Sequence, residues 1–141
     1  YVSEKHRWNG YALAKSTDGS DICFMQADVR AFQLAKGAIR AGIEALLVAA
    51  GVSAAAVTQV YLAGGFGVRM DEHAAVRTGL LPEQFAGRIH AVGNSSLSGA
   101  VYAGRHAPVD AQCNELLAQC RQIVLAEQPE FEENYLKYMN L

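Results

Sequence analysis

The chain has 141 residues, 51% of them hydrophobic and 18% charged, which is enough for one domain with a sizeable core. Its net charge is -2 and its twelve Lys and Arg are scattered, so there is no basic stripe of the kind that tracks a phosphate backbone, and nucleic acid is not an expected partner. The longest apolar run, near residues 43–52, contains Glu44 and Gly51 and falls far short of the ~20 residues that span a bilayer, so no membrane span is expected.

The first residues carry His6, Arg7 and Trp8 with neither an initiator Met nor a signal-like apolar core, and read as the start of a piece cut from mid-protein. Residues 11–15 and 22–26 are short β-compatible runs around the turn-forming residues 16–21, which predicts a hairpin. Asp28 is placed to cap a helix over 29–50, in which Phe32, Leu34, Ala35, Ile39, Ile43, Leu46 and Leu47 recur at helical spacing until Gly51. Residues 57–63 are rich in β-branched and aromatic side chains and predict a buried strand that ends abruptly in a loop of Gly64, Gly65, Phe66 and Gly67.

A short helix over 71–78, a break at Gly79-Leu80-Leu81-Pro82 and a strand over 89–92 follow. Small residues between Leu97 and Arg105 predict a closely packed helix, and a further helix spans 109–119. Residues 122–126 predict a last strand, and Pro129 suits the first turn of a terminal helix carrying Phe131, Tyr135 and Met139. The order describes an α/β domain with a mixed sheet flanked by helices.

Chemistry concentrates at two strand ends. In residues 64–67 three of four positions lack a Cβ, which lets backbone approach a ligand and offers N–H groups to phosphate, although a tight strand-to-helix turn demands glycine for conformational reasons too. The spacing is neither GxGxxG nor a P-loop. Asn94, Ser95 and Ser96 stand at the end of the next strand, where Asn94 or Ser95 can cap the following helix; that reading is favoured on this segment alone, and direct ligand contact is the other. If the two strands are parallel, both segments lie on the edge where α/β sheets bind ligands.

Gln33, Lys36 and Arg40 share one face of the long helix and could meet an adenine and ribose, or simply face solvent. Asp71 and Glu72 could approach a metal-bound nucleotide, yet acidic residues are expected in a helix's first turn. His6, His73, His90 and His106 have no partner at metal-ligand spacing. Cys23, Cys113 and Cys120 are odd in number and widely spaced, which suits a reducing, cytoplasmic compartment and offers no metal site within this segment.

Residues 28–43, 60–67 and 93–100, taken together and in that order, resemble the C-terminal domain of reductive activators of corrinoid-dependent enzymes, and the likeness runs from about residue 22 to 139 through Gly79-Leu80-Leu81-Pro82 and Pro129-Glu130-Phe131. That family is similar to the superfamily of acetate and sugar kinases, heat-shock chaperone ATPases and actin, whose two ribonuclease H-like lobes close on ATP. The resemblance implies that residues 1–141 form a single C-terminal nucleotide-binding lobe. Gly64, Gly65, Phe66 and Gly67 would be its adenosine-side segment, Gln33, Lys36 and Arg40 would border the adenine pocket, and Asn94, Ser95 and Ser96 would match a family motif.

The implied cofactor is ATP with Mg2+, shared with a first lobe, and a 2Fe-2S cluster is expected only in an N-terminal ferredoxin domain outside this segment. The implied partners are a corrinoid protein of a methyltransferase system, the other domains of the same protein and, as a further expectation, a second copy. The implied activity is ATP-dependent return of cobalt(II) corrinoid to cobalt(I), which the isolated segment is not expected to carry out. A lobe of a small-metabolite kinase and a protein-binding module with a vestigial nucleotide site remain as alternatives.

Overall fold

The residues on either side of the turn at Asp18 pair as an antiparallel hairpin in the computed structural model, which describes residues 10–106 and 108–140. His6, Arg7, Trp8 and the expectation about the start of the chain lie outside the described residues. Strands β1 (Gly10–Lys15) and β2 (Asp21–Met25) match Tyr11 with Phe24 and Ala12 with Cys23. The Asp18 carboxylate closes the turn, accepting from Ser20 Oγ at 2.6 Å and Ser20 N–H at 2.9 Å, and these bonds hold its pKa below the ordinary carboxylate value. Tyr11, Leu13, Ile22 and Phe24 are exposed.

Helix α1 (Gln26–Ala50) starts three residues earlier than its apolar spacing predicts. Asp28 is not its cap: it lies inside the first turn, where Oδ2 accepts the Met25 N–H at 2.7 Å and adds negative charge at the positive end of the helix. Gly51 ends α1 at φ 66°, with Gly51 N–H on the Val48 carbonyl and Val52 N–H on the Leu47 carbonyl, both at 3.0 Å. A left-handed residue there satisfies carbonyls that the helix leaves open.

Strand β3 (Val60–Ala63) leads into helices α2 (Gly64–Arg69) and α3 (Glu72–Arg77), and β4 (Ile89–Gly93) into α4 (Ser95–Arg105). Helices α5 (Asp110–Gln119) and α6 (Phe131–Met139) complete the chain. β3 and β4 run parallel. The expected hairpin is present and the pairing of the second two strands, left conditional by the sequence, is parallel, but among the described residues the two pairs form separate two-stranded sheets rather than one mixed sheet.

The core gathers around the Gly79-Leu80-Leu81-Pro82 break. Leu80, Leu81, Phe85 and Ala75 are buried and Pro82 is fully enclosed, with Ile43 from α1, Val60 and Leu62 from β3 and Ile89 from β4 packed around them. Arg88 fastens the approach to β3 by donating to the Ala55 carbonyl at 2.8 Å and to the Val57 carbonyl.

Four expectations fail here. The strand read as buried, β3, has no fully buried residue. The helix read as closely packed, α4, has none either, and a Cβ on Gly99 or Gly104 would meet nothing within 4 Å, since small residues permit a close neighbour without supplying one. Residues 122–126 form no strand but run into a short 3-10 turn, Leu125–Glu127, and pair with neither two-stranded sheet. Residues 64–67 are not an open loop but the first turn of α2, since only Gly64 takes a left-handed φ (85°) and the chain coils immediately afterwards.

Candidate functional site

Parallel pairing brings the two chemistry-bearing segments together. The register sets Val60 against Ile89, Tyr61 against His90, Leu62 against Ala91 and, after a one-residue slip, Ala63 against Gly93. Gly64 and Asn94 therefore leave the same edge of the same sheet, through two glycines of positive φ, Gly64 (85°) and Gly93 (68°), and each enters a helix at once. In α/β sheets this edge, at the carboxyl ends of parallel strands, is where ligands bind.

The glycines of the first segment divide their work. A Cβ on Gly67 would lie 2.9 Å from Leu62 Cβ and 3.1 Å from the Leu62 carbonyl carbon, so this glycine lets α2 fold back on β3. A Cβ on Gly64 or Gly65 would meet nothing within 4 Å, which leaves an open approach on that side. Phe66 is 75% exposed. It lines a cleft of about 170 Å³ with Phe32 of α1, Met70, Asp71, Thr78 and Leu80, so the glycine segment and α1 both contribute to one apolar hollow.

At the second segment Asn94 caps α4, its Oδ1 accepting the Leu97 N–H at 3.0 Å. Ser95 and Ser96 are exposed on the first turn of α4. Asp71 and Glu72 are engaged structurally: Asp71 Oδ1 accepts the Ala74 N–H at 2.7 Å and Glu72 Oε1 accepts the Gly87 N–H at 2.6 Å. Among the described residues no three His, Cys, Asp or Glu converge as a metal site, the three cysteines are unbridged, and no helix is long and apolar enough to cross a membrane.

Gln33, Lys36 and Arg40 do share one face of α1, but it meets α6 rather than solvent. Lys36 is only 4% exposed and donates from Nζ to the Asn140 carbonyl just beyond α6. Burial, with the Arg40 cation nearby, pushes its pKa below the ordinary ammonium value. Arg40 pairs with Glu44 at 2.8 Å and lies 4.8 Å from the centre of the Tyr138 ring. Sequence periodicity could not have found this cover, because α6 is supplied from a hundred residues away.

A family model described as the C-terminal domain of RACo, the ASKHA domain, matches residues 2–141. The chain belongs to this family. Among relatives, it is 34% identical over 122 residues to the corrinoid activation enzyme RamQ of Eubacterium limosum, a match that covers 86% of this chain and 21% of that protein. Among solved structures it superposes on a reductive activator for corrinoid, iron-sulfur protein with a TM-score of 0.81 and 29% identity, over 92% of this chain and 21% of that one. The fold is thus the actin-like α/β fold of ASKHA domains, and the chain spans about a fifth of the length of the relatives it matches.

Proposed function

We propose that the chain is the second nucleotide-binding lobe of a cytoplasmic, ATP-dependent reductive activator, which returns a cobalt(II) corrinoid protein of a methyltransferase system to cobalt(I). The observation that carries this reading is the parallel register of β3 and β4, which puts Gly64, Gly65, Phe66 and Gly67 beside Asn94, Ser95 and Ser96 on one sheet edge. Membership of the ASKHA family, and relatives named as corrinoid activators, support it.

The residues present fit a nucleotide. The open space over Gly64 and Gly65 admits close backbone approach, and the hollow between Phe32 and Phe66 offers apolar walls to a flat base. In this reading the glycine segment receives the adenosine, Gln33, Lys36 and Arg40 border the base from α1, and Asn94, Ser95 and Ser96 present N–H and hydroxyl groups toward the phosphates. ATP with Mg2+, when bound, supplies the free energy for the uphill electron by favouring one arrangement of the protein over another, and a ligand does so only through its differential affinity for the two.

The apolar side chains left exposed on the hairpin and on α4 and α5, among them Tyr11, Phe24, Leu97, Leu116 and Leu117, suit packing against further domains: a first lobe, and a ferredoxin domain holding the 2Fe-2S cluster. A second copy of the protein is a further candidate for these faces.

Thermal unfolding of the full-length protein with and without Mg-ATP tests the reading. A ligand confined to the native state adds about 2.7 kcal/mol at about a hundred times its Kd. Gly65→Val has room in the fold and should keep the unliganded midpoint while abolishing the nucleotide-dependent rise. No rise in the wild type at millimolar Mg-ATP would refute the nucleotide reading.

A further inference from the structure

The polar row on α1 is met by α6 along its whole length. Lys36 donates to the Asn140 carbonyl, the Arg40 guanidinium lies over the Tyr138 ring, and the Tyr138 hydroxyl donates to the Glu44 carboxylate at 3.3 Å. Gln33 faces Met139 and Asn140 across a groove of about 330 Å³. Gly37 lets the helices close together: a Cβ there would lie 2.7 Å from Met139 Cγ and 2.9 Å from the Tyr135 carbonyl oxygen.

The seam is tight where Gly37 meets Tyr135 and Met139 but incompletely filled on either side of that point. No residue of α6 is buried, and a second cavity of about 90 Å³, lined by Glu44, Ala45, Val48, Phe131 and Asn134, opens farther along the same seam. The Lys36 ammonium is out of water with a neutral carbonyl as its partner, and the next cation on the face, Arg40, has already taken Glu44. Among the described residues this buried cation is matched by a neutral acceptor alone and is poorly compensated, so the closed arrangement gains little from the bond.

We propose that α6 is a strap held over Gln33, Lys36 and Arg40, and that it must lift before these side chains can reach nucleotide, so that α6 and nucleotide compete for one face of α1. The proposal rests on the reading of the chain as a nucleotide-binding lobe. A site whose competent state is populated only part of the time binds with an affinity reduced by that fraction. Closing the strap therefore weakens nucleotide binding, and loosening it strengthens binding.

Two variants loosen the strap differently. Gly37→Ala gives α1 a better helix former, while its methyl group collides with the Tyr135 backbone carbonyl, which cannot rotate away. Tyr138→Ala removes the ring beneath Arg40 without a clash. Mg-ATP binding to the full-length protein is measured by calorimetry, together with hydrogen exchange of the α6 amides with and without Mg-ATP.

If the strap is open about a tenth of the time, both variants should bind more tightly, by up to about ten-fold when the strap is fully released, and Mg-ATP should speed exchange in α6 of the wild type. Unchanged or weaker binding in both variants, with α6 equally protected in bound and free protein, overturns the strap and leaves the nucleotide reading intact. A wild type that binds no Mg-ATP overturns both.

Discussion

Three glycines within four residues respond to alanine in three different ways. At Gly67 the new methyl would sit 2.9 Å from Leu62 Cβ and 3.2 Å from the Leu62 carbonyl oxygen. Carbon atoms prefer about 3.5–4.0 Å, so α2 must move off β3, and overpacking of this kind costs about 1–3 kcal/mol. At Gly64 nothing crowds the methyl, but φ is 85°, and holding an L-residue in the left-handed region costs about 1–2 kcal/mol. At Gly65 neither problem arises, and alanine should stabilise the helical turn by about 0.5–1 kcal/mol. A domain of this size changes its midpoint by about 3–5 °C per kcal/mol. Thermal unfolding followed by circular dichroism should therefore rank Gly65→Ala above wild type, with Gly64→Ala and Gly67→Ala below it. A Gly65→Ala protein as unstable as Gly67→Ala would refute the description of residues 64–69 as a helix folded onto β3.

Asn94→Ala should cost about 0.5–2 kcal/mol through loss of the α4 cap, whereas Asn94→Asp keeps the bond to the Leu97 N–H and should hold stability while weakening Mg-ATP binding several-fold by calorimetry. Unchanged affinity in Asn94→Asp would remove this segment from the phosphate end of the site. Lys36, whose folded pKa lies below 10.5, binds fewer protons than the unfolded chain at alkaline pH, so its charge opposes folding at lower pH and the penalty lifts as pH rises toward 10.5. Urea titrations across that range should show wild type gaining stability relative to Lys36→Met; a constant difference would mean that Lys36 is not held out of water.

The motifs were legible because they act locally. Gly51 is read correctly as a helix stop and Asn94, one of two candidates with Ser95, is the helix cap, since each satisfies backbone groups within four residues of itself. Asp28 misleads by three residues for the same local reason: a carboxylate serves the N-terminus from inside the first turn as well as from the cap. Residues 122–126 carry apolar, β-compatible side chains, but a strand also needs an edge to pair with, and composition does not supply one.

What the chain alone determined, then, is the order of elements apart from α2 and the segment 122–126, the two glycine- and asparagine-marked strand ends and the family to which they belong, because these depend on backbone preferences and on motif order. Tertiary structure decided three other matters. Parallel pairing of β3 with β4 put the two segments on one edge, and Leu80, Leu81 and Pro82, which read as a break, became the centre of the core. The face of α1 carrying Lys36 and Arg40, readable as solvated, came to lie under α6. Each of these joins residues far apart in the chain, and helical or strand periodicity records which side chains share a face but not what that face will meet.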